Sequence, residues 1–206
     1  MKVLLINGSP KSKGNTSIAL AEMVKVFESE GVETETIQIG NKVVRGCVAC
    51  QTCLKNGRCV FNDIVNEVAP KFLAADGFVA GTPVYYGSPN GTMLAFLDRL
   101  FYSTFTTFKF GMVGAGVVVC RRGGATAAFD VLNKYFAITG MTIATSQYWN
   151  MVYGLKPGEV TQDAEGLQTL RMLARNMTFL MKSIALGKEQ FGYPKREPWT
   201  PTHFIR

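Results

Sequence analysis

Four of the five cysteines in this chain, Cys47, Cys50, Cys53 and Cys59, follow the spacing Cys-x2-Cys-x2-Cys-x5-Cys. Three thiolates two residues apart can wrap one face of an iron–sulfur cubane, and a fourth arrives after a short loop. In a reducing compartment such a run reads as metal or redox chemistry before disulfides. The stretch from Lys42 to Cys59 carries Lys42, Arg45, Lys55 and Arg58 and no acidic residue. Basic side chains offset the negative charge of a four-thiolate site and favour the thiolates that ligation requires. Tetrahedral zinc is the main rival, although zinc ribbons pair two Cys-x2-Cys knuckles roughly a dozen or more residues apart. A redox-active dithiol without metal also stays open. Cys120, in an apolar run, reads as a core residue. The only histidine is His203, which leaves little room for a His-based triad or zinc site.

A second constellation follows the first apolar run: Gly8-Ser9-Pro10-Lys11-Ser12-Lys13-Gly14-Asn15-Thr16-Ser17. Hydroxyls, two lysines and free amides at a helix start make a phosphate site by composition and by dipole. A Walker loop is excluded because Gly8 and Gly14 enclose five residues and Asn15 follows. The Gly-x-Gly-x-x-Gly fingerprint is also missing. A terminal phosphate on a mononucleotide fits what remains.

These residues need elements to position them. Val3–Ile6, Val32–Ile39, Gly77–Gly81, Val113–Cys120 and Met141–Ala144 read as strands. Helices are expected over Thr16–Glu30, from Asn62 or Asp63 to about Ala75 with Pro70 kinking or shortening it, and over Met93–Phe101, Thr126–Ile138 and Asp163–Leu186. Ala19, Met23, Val26 and Phe27 mark the buried face of the first helix. Strands alternating with helices mean a parallel α/β sheet covered on both faces. With 206 residues, 47% hydrophobic and 18% charged, the chain suits one domain and excludes global disorder. No apolar run approaches a membrane span, and no signal-peptide pattern opens the chain, which predicts a cytoplasmic location. Net charge is +7, but the basic residues are scattered, so small anionic cofactors are favoured over nucleic acid. The last twenty residues hold Pro194, Pro198, Pro201, Phe191, Tyr193, Trp199 and Phe204. Such an aromatic tail, 187–206, is expected to pack on a neighbouring subunit.

Gly-Ser-Pro-Lys followed by Gly-Asn-Thr after a first strand resembles the NAD(P)H-dependent FMN reductase branch of the flavodoxin-like superfamily. Thr82-Pro83-Val84-Tyr85-Tyr86-Gly87-Ser88-Pro89 resembles that family's second flavin loop, and Phe96-Leu97-Asp98-Arg99 the segment after it. The resemblance spans residues 1–186 and implies a doubly wound five-stranded parallel sheet of order 2-1-3-4-5. It implies that Ser9, Lys11, Asn15, Thr16 and Ser17 hold the FMN phosphate and that Pro83, Val84, Tyr85, Tyr86 and Gly87 line the isoalloxazine. Arg121, Gly123 and Gly124 stand where a third flavin-facing loop is expected. With the cysteines in the loop 40–60, the chain looks like an iron–sulfur flavoprotein, whose [4Fe–4S] cluster would sit on Cys47, Cys50, Cys53 and Cys59. Bacterial ferredoxins place three residues before their fourth cysteine and a proline after it. Here there are five, and Val60 follows.

Such a molecule would be an FMN-dependent oxidoreductase passing electrons between NAD(P)H, quinone or ferredoxin-type partners, as a homodimer or homotetramer. No protein residue need be nucleophile or base. The alternatives are a cluster-free NAD(P)H:FMN or quinone reductase, a flavodoxin-like carrier without catalysis, and a zinc-stapled module that binds nucleic acid.

Overall fold

The computed structural model describes every residue except Phe108, Trp199 and Arg206. Strand β1 (Lys2–Asn7) leads into helix α1 (Asn15–Ser29) and strand β2 (Glu33–Gln38). A long loop holding the short helix α2 (Thr52–Asn56) precedes α3 (Ile64–Leu73). Then come β3 (Gly77–Tyr85), β4 (Ser88–Pro89), α4 (Gly91–Ser103), β5 (Val113–Cys120) and α5 (Ala125–Ile138). The chain closes with β6 (Thr142–Ile143), β7 (Met151–Tyr153), a 3-10 turn at Glu159–Gln162 and α6 (Ala164–Phe191).

The parallel order is β2-β1-β3-β5-β6, which is the expected 2-1-3-4-5 once the hairpin strand β4 is set aside. β1 shows why the sheet is doubly covered. Leu4 and Ile6 enter a core layer shared with α3, α4 and α5, whereas Val3 and Leu5 enter the layer under α1 and α6. Alternation along the strand feeds both layers, and each such buried side chain contributes roughly 1.5–3 kcal/mol. Ala19, Met23, Val26 and Phe27 of α1 are buried as the periodicity requires. Asp63 caps α3 by accepting from the Val65 amide at 3.1 Å.

Three details differ from the sequence reading. Residues 82–85 continue β3 and fold back antiparallel onto β4, with Val84 opposite Pro89 and Tyr85 opposite Ser88. The turn is Tyr86-Gly87, both at positive φ (51° and 75°), as a two-residue hairpin turn of the I′ kind demands. The fifth strand is split: β6 and β7 both pair with β5. Between them, the Ser146 hydroxyl donates to Thr169 O and the Asn176 amide to Thr145 O, which ties the detour to α6. Finally, α6 runs past Leu186 to Phe191. In the tail, Tyr193 packs edge-on against Phe110 at 5.3 Å, in its own chain. Phe204 and Ile205 are exposed, and Trp199 lies outside the described residues.

Candidate functional site

A cleft of about 210 Å³ opens beyond the carboxyl ends of β1, β3, β5 and β7, the position in which open α/β sheets bind ligands. The structure brings Ser9, Lys11, Asn15, Thr16, Pro83, Val84, Tyr85 and Arg121 to its walls. Ser17, Tyr86, Gly87, Gly123 and Gly124 are not among the described lining residues. Tyr86 instead projects into solvent from the hairpin turn. Gly124, at φ +88°, sits so close to the turn that a Cβ on it would stand 2.7 Å from the Gly87 Cα. The hairpin and the 121–124 loop therefore touch, and only glycine fits between them.

Helix α1 begins at the cleft with no side-chain cap and no acidic residue in its first turn. Its amides and dipole are thus open to an anion, with Lys11 alongside. The preceding loop is braced from several sides. The Ser9 amide donates to Asn7 Oδ1 at 3.0 Å and the Lys11 amide to Ser9 Oγ at 3.2 Å. The Gln38 side chain donates to Ser9 O, and Asn90 Nδ2 donates to Gly8 O. Asn90 also accepts from the Met93 amide at 3.0 Å, so one buried carboxamide caps α4 and holds the loop. Gly40 lies flush beneath it: a Cβ there would stand 2.2 Å from Gly8 O and Ser9 O. Asn15 bridges to the loop after β7, donating to Lys156 O at 3.0 Å and accepting from the Gly158 amide at 2.9 Å. Cys120 lines the cleft as well as the core, and burial pushes its thiol pKa up.

The four clustered cysteines line a separate cavity of about 20 Å³ with Arg99, Phe61 and Tyr102. No described residue lines both spaces. Arg99 lies about 12 Å along α4 from Gly91, at 1.5 Å per residue. Cys53 is buried, Cys59 half-buried, and Cys47 and Cys50 exposed. The backbone is unusual here. Ala49 and Gln51, which flank Cys50, both have positive φ (53° and 58°), a costly conformation for residues with side chains. Asn66 clamps the fourth cysteine: its Oδ1 accepts from the Cys59 amide at 3.0 Å and its Nδ2 donates to Cys59 O at 2.9 Å. A hydrogen bond with the Thr52 hydroxyl lowers the Cys50 pKa, whereas burial raises that of Cys53. The lowering at Cys50 thus comes from a hydroxyl and not from the basic side chains of the loop. Among the described residues, no group of three or more Cys, His, Asp or Glu side chains is placed to hold a metal ion or cluster.

Residues 1–155 match the NADPH-dependent FMN reductase family. The chain belongs to that family. It is 31% identical to an iron–sulfur flavoprotein of Methanocaldococcus jannaschii over 89% of this chain and 99% of that protein. An iron–sulfur flavoprotein of Methanosarcina thermophila is 28% identical over 92% of this chain and all of the other. Among solved structures, RosB superposes with a TM-score of 0.71 at 16% identity, covering 100% of this chain and 94% of that one. An archaeal flavodoxin gives 0.60 at 15% identity, with 88% and 99% covered. At those identities the likeness is one of fold.

As a member of the FMN reductase family the protein binds FMN, and the uncapped start of α1 suits its phosphate. Sequence reasoning did not single out Gln38, Gly40, Asn66 or Asn90 as parts of a site. Asn90 carries a signal, since Asn directly before a helical run marks an N-cap. The roles of Gln38 and Gly40 arise from contacts between loops distant in sequence and leave no local pattern. Among the described residues, no helix is long and apolar enough to cross a membrane.

Proposed function

We propose that this FMN reductase transfers electrons from a nicotinamide donor to a one-electron partner through a [4Fe–4S] cluster on Cys47, Cys50, Cys53 and Cys59. One observation carries the reading: four cysteines from one loop line a single cavity beside a buried guanidinium, with no carboxylate among its described lining residues. Soft sulfur donors suit iron–sulfur chemistry. The names of the relatives point the same way.

When bound, FMN supplies the exchange between hydride and single-electron chemistry. The chain's residues do the rest. Ser9, Thr16, Ser17 and the α1 amides seat the phosphate, with Lys11 balancing its charge and Asn15 fastening the neighbouring 156–160 loop. Pro83, Val84 and Tyr85 form the wall for the ring; Tyr86 and Gly87 make the hairpin turn behind it, and Gly124, next to Gly123, packs against that turn. Arg121 offers a cation for the flavin edge or a donor phosphate. The tail beyond Tyr193 is assigned to contact with a second copy in a homodimer or homotetramer, since Phe204 and Ile205 stay exposed in the single chain.

The exposure of Cys47 and Cys50, and the absence among the described residues of a group placed to hold a metal, favour a second reading, a cluster-free NAD(P)H:FMN or quinone reductase. Iron, acid-labile sulfide and FMN stoichiometry on anaerobically purified protein separates the two. Four irons and four sulfides per FMN are expected, with loss of both but retention of FMN in Cys50→Ser. Flavin without iron in the wild type establishes the second reading.

A further inference from the structure

Arg99 is 1% exposed, and every partner of its guanidinium comes from the segment 45–63. Nη1 and Nη2 grip the Asp63 carboxylate at 2.6 and 2.9 Å. The same two nitrogens also donate to Arg45 O at 3.4 Å and Phe61 O at 3.3 Å. The fifth donor, Nε, points at Cys59 Sγ at 3.2 Å. The group lies over the Phe61 ring at 5.1 Å. All five N–H donors of the fork are thus committed, and one of them is spent on a sulfur.

That last contact distinguishes a staple from a tuning group. A guanidinium needing only to hold the loop is satisfied by carboxylate and carbonyl oxygens. A charged N–H from a buried guanidinium, aimed at a cysteine sulfur, stabilises negative charge on that sulfur. Hydrogen bonds to ligand sulfurs and net charge around the ligands are the levers by which a protein sets a cluster's potential. Asp63 opposes the effect, because its carboxylate neutralises much of the charge of Arg99.

We propose that Arg99 is a positioning residue for Cys59 that raises the reduction potential of the bound cluster, with Asp63 holding that rise in check. The inference rests on the [4Fe–4S] reading above.

The test is an EPR-monitored redox titration of the intact protein, loaded anaerobically with ferrous iron and sulfide, beside Asp63→Asn and the double variant Arg99→Gln/Asp63→Asn. Asparagine preserves the cap of α3, and the double variant leaves no buried charge unpaired. Asp63→Asn should shift the cluster's reduction equilibrium upward. The double variant should shift it downward by at least tenfold, about 59 mV for one electron. The flavin couple should not move, because no described residue lines both cavities. Shifts of opposite sign support the inference. A pure staple would change cluster yield and leave the potential alone, so equal potentials in a loaded set overturn it. If the double variant fails to fold or to load, Asp63→Asn decides by itself, and no upward shift is fatal. A wild type that stays free of iron after reconstitution overturns the cluster reading and this inference with it, whereas a loaded wild type with unmoved variants overturns the inference alone.

Discussion

The cleft at the strand ends and the cysteine loop are held by different means. The cleft lies at the ends of parallel strands, and groups anchored in the core fix the loop after β1: Asn7, the end of β2 and the cap of α4. The loop 41–62 is largely exposed and holds one helix of five residues. It is tied down chiefly by two side chains, Arg99 and Asn66, that reach out from neighbouring helices. One site inherits its shape from the sheet. The other depends on a handful of polar bonds, and its left-handed residues around Cys50 store conformational strain that the loop itself does not relieve. Chemistry in the loop can therefore be altered without disturbing the fold, whereas changes at the cleft's supports should propagate.

A pair of glycines gives the largest contrast. At Gly40 the added methyl of alanine meets backbone atoms of Gly8 and Ser9 at 2.2 Å, which cannot yield as a flexible side chain would. Overpacking of this kind costs about 1–3 kcal/mol or more. Gly40→Ala should weaken FMN binding about 100-fold, if most of that cost falls on the loop, and lower the melting temperature by several degrees. Gly46 has nothing within 4 Å of the same position, so Gly46→Ala should change stability by less than about 0.5 kcal/mol. Flavin-fluorescence titration and calorimetry read both variants. Equal effects at the two positions would erase the distinction between a core-built and a side-chain-built site.

The same distinction governs what could be read from the sequence. The strands, helix faces and phosphate loop were legible because apolar alternation, 3.6-residue periodicity and a Gly/Ser-rich turn are local signals. The cysteine spacing was legible for the same reason. The hairpin at 84–89 was not, because Tyr86 occupies a positive-φ position that Asn or Gly would have advertised. The split of the fifth strand was hidden too, since it depends on bonds from Ser146 and Asn176 to partners more than twenty residues away. Arg99 was visible only as part of a recurring segment. Its contact with Cys59 spans forty positions, and no window on the sequence holds both.

Inside the cleft, a smaller effect separates direct from indirect support. Ser9 is buried with its hydroxyl at the loop's centre. On the proposed assignment of Ser9 to the phosphate, losing that charge-assisted bond costs about 1.4 kcal/mol, or tenfold in affinity. Asn15 acts at one remove, because its carboxamide is committed to Lys156 and Gly158. Ser9→Ala/Asn15→Ala should thus weaken FMN at least tenfold, with most of the loss already present in Ser9→Ala. If Asn15→Ala alone were the more damaging change, the carboxamide would have to turn to the phosphate when the cofactor binds.

The smallest effect compares a cysteine from each region. The thiolate is the species that iodoacetamide alkylates. In the reduced, metal-free protein Cys50 is exposed and its pKa is lowered by Thr52, while Cys120 is buried in the cleft wall with its pKa raised. Lowering the pKa moves the rise of rate with pH to lower pH, so Cys50 should approach its plateau while Cys120 is still climbing. At neutral pH Cys50 should react at least about tenfold faster, by burial and thiolate fraction together. Thr52→Val removes the hydroxyl and should return the Cys50 curve to higher pH, slowing the neutral-pH reaction about two- to threefold. Peptide mapping after timed alkylation resolves the sites. Loading iron and sulfide then closes the comparison, because protection of Cys50 with no change at Cys120 would mark the exposed loop as the part of the molecule that its ligand completes.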